Sequence, residues 1–164
     1  MNQEIVHVEE AIGNFMKMMD STEKKITQVD KKLKEIKKKL EAVEVDVLDT
    51  SSKLREIERK IHDKLNKVKR VRKLYLNAST ERQMKMYDKD YSALMKEVHK
   101  LDEEREKLRE KYEKLVATEE KIMKKELQLE EQKAVLYHER ENLMHRAENI
   151  MKRLSSKINR TRNE

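Results

Sequence analysis

Apolar residues recur at alternating steps of three and four along the first half of the chain, without interruption from Ile5 to Ala78. One seam position reads Ile5, Ile12, Met19, Ile26, Leu33, Leu40, Val47, Leu54, Ile61, Val68, Tyr75. The other reads Val8, Phe15, Thr22, Val29, Ile36, Val43, Thr50, Ile57, Lys64, Val71, Ala78. A repeat of about 3.5 residues on a helix of about 3.6 residues per turn keeps one stripe facing a partner only when helices wind around each other. The pattern predicts an all-α, elongated coiled coil.

The second half repeats the pattern in a shifted frame: Met84, Tyr87, Tyr91, Leu94, Val98, Leu101, Arg105, Leu108, Tyr112, Leu115. Tyr75 and Met84 hold equivalent positions nine residues apart, an offset that matches neither a four-residue stutter nor a three-residue stammer. At roughly 100° per residue, a continuous helix would swing its stripe by about 200° there. The shift therefore predicts a break. Asn77 suits a left-handed helix stop. Thr80 followed by Gln83, with Glu81 between them, has the spacing of a capping box opening a new helix.

The expected organisation is a first helix over 1–76, a turn at 77–80, a second helix over 81–160 and a frayed tail at 161–164. Two helices of similar length joined by a short turn should fold back as an antiparallel hairpin. The competing topology is one unbroken rod of about 245 Å pairing in parallel, which the scarcity of Gly and Pro would suit. Two further stretches are soft. Gly13-Asn14 could hinge the first turns, and the side chains of Asp49-Thr50-Ser51-Ser52 compete for backbone hydrogen bonds. The seam passes through the latter in register, so a weak spot rather than a break is expected.

Beyond Leu115 one edge of the stripe continues through Ile122, Leu129, Leu136, Leu143 and Ile150. The positions that should complete it are Glu119, Glu126, Lys133 and Arg140, while Val116, Met123, Tyr137, Met144 and Met151 lie on the neighbouring edge. Apolar residues at adjacent heptad positions make a broad face suited to more than two helices. This end, with Phe15, Met16, Met18 and Met19, is expected to meet further helices. Leu33, Leu40, Leu54, Ile61, Ile122, Leu129, Leu136 and Leu143 are the expected oligomer seam, and the partner is expected to be a second copy or another helical protein.

Composition removes several alternatives. Of 164 residues, 45% are charged and 36% apolar, with one Gly, no Pro and one Phe, so a globule would lack turn chemistry. High charge also marks disorder, but disordered chains do not hold a heptad frame over this length. No cysteine is present, which excludes disulfides and thiolate chemistry. No apolar run approaches the roughly 20 residues of a membrane span, and Met1-Asn2-Gln3-Glu4 lacks the features of a signal peptide. An intracellular, cytoplasmic protein not bound to membrane is the expectation.

Charge is arranged in blocks. Residues 1–23 carry five acids and one lysine; 24–39 carry eight lysines against Asp30 and Glu35; 41–58 carry six acids against Lys53 and Arg55; 59–73 carry eight basic residues against Asp63. Alternating blocks select a stagger between paired chains. The last block, next to the expected turn, could instead meet a polyanion through Lys67, Lys69, Arg70, Arg72 and Lys73. Tyr75, Tyr87 and Tyr91 crowd the same end but fall on seam positions, and so are expected in the core.

No catalytic, cofactor-binding or metal-binding constellation is visible, and no small-molecule substrate is expected. His7, His62, His99, His138 and His145 share no metal spacing, and one glycine cannot build a phosphate loop. Polar seam residues such as Lys64, Arg105 and Glu126 look like devices that fix register or oligomeric state. The sequence therefore predicts a non-enzymatic structural or adaptor coiled coil that self-associates and mediates protein–protein interaction. The alternative is a nucleic-acid or chromosome-associated factor using the basic tract 59–73. By architecture and basic tip alone, the expected hairpin resembles the arms of chromosome-maintenance ATPases and seryl-tRNA synthetases. These 164 residues carry neither an ATPase head nor a synthetase core, and no family follows.

Overall fold

A computed structural model describes residues 2–163; Met1 and Glu164 lie outside the described residues. Helix α1 spans Asn2–Leu76 and helix α2 spans Glu81–Arg162, packed against each other as a helical hairpin. The helices begin with acids in their first turns, Glu4 and Glu81, and end with bases, Lys73 in α1 and Arg160 and Arg162 in α2. Both signs complement the helix dipole.

The reversal sits where the frame shift placed it. Asn77 N–H donates to the Lys73 carbonyl at 3.1 Å, and Ala78 N–H to the Tyr75 carbonyl at 3.3 Å. Thr80 then caps α2: its hydroxyl accepts from Gln83 N–H at 3.3 Å, and its carbonyl accepts from Met84 N–H at 3.1 Å. The Gln83 side chain reaches back one residue further than a strict capping box, accepting from Ser79 N–H at 3.3 Å. The expected left-handed stop at Asn77 is absent, because no described residue has positive φ. With a cap on one side and a carbonyl-bonded last turn on the other, the chain reverses without that conformation.

Two other expectations are corrected at this level. Helix α2 runs to Arg162, two residues past its expected end, and Thr161 Oγ1 donates to the Lys157 carbonyl at 2.7 Å. Gly13 makes no hinge in α1, which is helical on both sides of it. The Asp49–Ser52 stretch is likewise helical, and Thr50, at 2% exposed, is a buried seam residue.

By packing, the chain forms two units, each built from a segment of both helices. The turn unit comprises Leu40–Lys121, and the terminal unit comprises Met1–Lys39 with Ile122–Glu164. In the terminal unit Lys133 Nζ lies 2.8 Å from Asp30 Oδ1, and Lys157 Nζ lies 3.8 Å from Glu4 Oε2. That antiparallel register brings Leu33 level with Leu129, Ile26 with Leu136 and Met19 with Leu143. The core here is Thr22, Ile26, Val29 and Leu33. In the turn unit the Lys64–Glu97 pair fixes an equivalent register, bringing Ile61 level with Leu101 and Leu54 with Leu108. Thr50, Ile61 and Val98 are its buried residues.

Three substitutions test this account. Leu33→Ala removes the most buried apolar residue and is expected to lower unfolding stability by about 2–5 kcal/mol. Thr80→Ala, which removes the α2 cap, is expected to cost about 1 kcal/mol. A Cβ at Gly13 would meet nothing within 4 Å. Gly13→Ala is therefore expected to stabilise by about 0.5–1 kcal/mol through helix propensity. Denaturant titration followed by circular dichroism reads all three.

Candidate interaction surfaces

The grooves between the helices among the described residues are open to solvent. The expected oligomer seam is occupied first by the chain itself. Leu33 and Ile61 are buried, and Leu40, Leu54, Ile122, Leu129, Leu136 and Leu143 are half-buried on the inward stripes of α1 and α2. A second chain could reach only their rims.

The broad face after Leu115 resolves into two parts. Glu119, Glu126, Lys133 and Arg140 stay half-buried on the seam of α2. Lys133 is bonded to Asp30, and the Arg140 guanidinium stacks 4.6 Å from the centre of the Tyr137 ring. The apolar edge beside them is left uncovered. Met123, Met144 and Met151 are 46%, 51% and 64% exposed, and Leu127 and Ile158 are exposed with them. One sequence signal locates this edge: methionines at seven-residue spacing beside charged seam positions. Across α1, Phe15 and Met19 are half-buried, whereas Met16 and Met18 are exposed.

Polar seam residues are satisfied by local partners where the structure gives them. Lys64 Nζ lies 2.5 Å from Glu97 Oε2 across the helices. Arg105 Nη2 lies 2.6 Å from Asp102 Oδ1 within α2, while Arg105 Nε is buried without a partner. The hydrogen bond and charge of Lys64 hold the Glu97 carboxyl below the ordinary carboxylate range. Hydrogen bonding to Asp30 pushes the Lys133 ammonium up.

The basic tract is unneutralised near the turn. Lys60 meets Glu56 at 3.9 Å and Lys64 meets Glu97. Among the described residues Lys67, Lys69, Arg70, Arg72 and Lys73 form no ion pair, and all five are exposed. The tyrosines depart from expectation. Tyr87 is half-buried, but Tyr75 and Tyr91 are 41% and 40% exposed, as are Leu74, Leu76, Met84 and Met86 around them. For Tyr75, Leu76 and Met84 the seam opens because the helices end there, leaving no flanking turn to cover the last layer.

Among the described residues no group of three or more His, Asp or Glu side chains could hold a metal ion, and no helix is long and apolar enough to cross a membrane. No protein-family model matches the chain, and neither a curated protein nor a solved structure is similar to it.

Two of the interhelical pairs, Lys64–Glu97 and Lys133–Asp30, carry opposite pH signatures. The Glu97 value is depressed, so its contribution is present above the ordinary carboxylate pKa and lost as pH falls through the folded value. The Lys133 value is raised, so its contribution is full below the ordinary lysine pKa and lost as pH rises through the folded value. Glu97→Gln is expected to flatten the acid limb of a melting-temperature profile without changing the alkaline limb. Lys133→Met is expected to flatten the alkaline limb.

Proposed function

We propose that this chain is a structural, adaptor-type coiled coil that self-associates and mediates protein–protein interaction. The uncovered apolar edge of the terminal unit carries this reading. Met123, Leu127, Met144, Met151 and Ile158 line up along α2 at helical spacing, all exposed. A long stripe of exposed large apolar side chains rimmed by charge marks a surface built to be covered. The hairpin has already used its seam, so the stripe is free for a further helix, from a second copy or from another helical protein. The reading involves no catalysis and sets the protein inside the cell.

Sedimentation of the purified protein tests it. Self-association at micromolar concentration is expected. Met144→Glu with Met151→Glu should weaken it by about 3 kcal/mol or more, on the order of 100-fold, because each methionine buried contributes roughly 1.5–3 kcal/mol. Helicity should be unchanged, since neither residue lies on the hairpin seam. A wild-type chain that stays monomeric and captures no helical partner would refute the reading.

One observation favours a second reading, the nucleic-acid or chromosome-associated factor. Five unpaired cations stand beside exposed Tyr75 and Tyr91, a combination suited to phosphate contact with aromatic stacking. On this reading affinity for duplex DNA falls with salt at a log–log slope of about −0.9 per phosphate contact. Changing Lys67, Lys69, Arg70, Arg72 and Lys73 to Gln abolishes binding with the oligomeric state intact. Absence of salt-sensitive binding to DNA or RNA in the wild type would remove it.

A further inference from the structure

The two flanks of the terminal unit differ in chemistry. One is marked by the Lys37–Glu130 pair at 3.9 Å, which joins α1 and α2 along one side of the seam. Seven-residue spacing puts Glu9, Met16, Glu23 and Asp30 on that flank with Lys37, and Met123, Tyr137, Met144, Met151 and Ile158 with Glu130. The next positions outward add Asp20 on α1 and Leu127, Glu141 and Glu148 on α2. From Val6 to Asp30 of α1, and from Leu127 to Ile158 of α2, every charged residue at these positions is acidic. Lys37 and Lys133 pair with Glu130 and Asp30 on this side and Arg140 lies on the Tyr137 ring, so the acids left to rim the exposed methionine stripe are Glu9, Asp20, Glu23, Glu141 and Glu148.

The other flank is marked by two open grooves. Met18, Lys25, Glu139, Asn142 and Arg146 line one; Lys25, Lys32, Gln128, Gln132 and Val135 line the other. The same spacing adds Lys39 on α1 and Lys125, Arg153 and Arg160 on α2. With Lys17 in the first groove and Glu131 in the second, eight cations here face four acids, Glu4, Glu35, Glu131 and Glu139.

We propose that a second copy of the chain covers the acidic, methionine-lined flank of the terminal unit with its own basic flank, so that copies associate face to back. This rests on the self-association proposed above and specifies how it occurs. A symmetric pair joined through the methionine stripe would set Glu141 and Glu148 in an acidic field of their own kind, and like charges brought together oppose association. Face to back, each acidic rim meets lysines and arginines. Their aliphatic stems lie along the stripe while the charged heads reach the carboxylates, with Met18 and Val135 adding apolar area. Such a contact is heterologous and does not close on itself, so association continues by adding copies.

Charge reversal tests the arrangement at exposed positions that leave the seam untouched. Glu141→Lys with Glu148→Lys reverses one flank, and Arg146→Glu with Arg153→Glu reverses the other. Each double variant alone is expected to self-associate at least about tenfold more weakly than wild type in sedimentation, with helicity unchanged. A one-to-one mixture of the two is expected to recover, because each reversed flank then meets a complementary one. Wild-type association should weaken as salt is raised. If the Arg146/Arg153 variant associates as well as wild type, the basic flank is not the interface. The face-to-back inference then fails while the scaffold reading stands. A mixture that recovers nothing also overturns it. A wild type that is monomeric throughout removes the self-association on which the inference rests.

Discussion

The fold depends on a seam that is apolar in every second layer and permissive in the layers between. In the terminal unit Met19, Ile26 and Leu33 of α1 are level with Leu143, Leu136 and Leu129 of α2, an unbroken run of apolar pairs. The intervening layers set Thr22 level with Arg140, Val29 with Lys133 and Ile36 with Glu126. Burial shows the division: Leu33 is 3% exposed, while Lys133 keeps its ammonium at the edge, bonded to Asp30. The apolar layers supply most of the burial free energy. The mixed layers tolerate charge because a long side chain can leave the seam at its rim, and a charge at one level disfavours sliding by a heptad.

That division explains why hairpin topology was legible in the sequence and some of its detail was not. The nine-residue frame shift between Tyr75 and Met84 called for a break, and Asn77 with the Thr80–Gln83 cap placed it at 77–80, against the competing unbroken rod. The turn's conformation was not accessible in the same way. Asn77 suggested a left-handed stop, but Thr80 and Gln83 satisfy the backbone at the start of α2 without one. Thr50 sat in a stretch of poor helix formers and is among the most buried residues, because position on the seam overrides local propensity. At the turn the error ran the other way: seam position suggested buried tyrosines, but Tyr75 belongs to the last layer of α1, and Tyr91 is exposed although Tyr87, nearer the turn, is half-buried.

The surface was legible only in outline. Heptad bookkeeping after Leu115 showed that apolar residues outnumber the seam positions available, and hence that a stripe would be left over. It did not show which helix would claim the seam. Once α1 does so through charged positions, Met123, Met144 and Met151 are left in solvent rather than shared between partners. The eight leucines and isoleucines expected to join separate chains instead hold one chain together. On the proposed reading a further helix would meet the flank, a surface that a linear list of heptad residues divides between two helices.

Charge blocks along α1 gain meaning from that flank geometry. Read linearly, residues 1–23 and 24–39 are an acidic block followed by a basic one. Read around the helix, many of the acids of the first block share a side with Met16, while Lys25, Lys32 and Lys39 take the opposite side with Met18. The terminal unit thus has sidedness as well as polarity along its length. A stripe of methionine alone would bind any apolar helix, since a flexible thioether adapts to many surfaces. On the proposed reading, acids beside the stripe would exclude partners that carry acid at the same place, so the rim would restrict the partner while the stripe supplies the area.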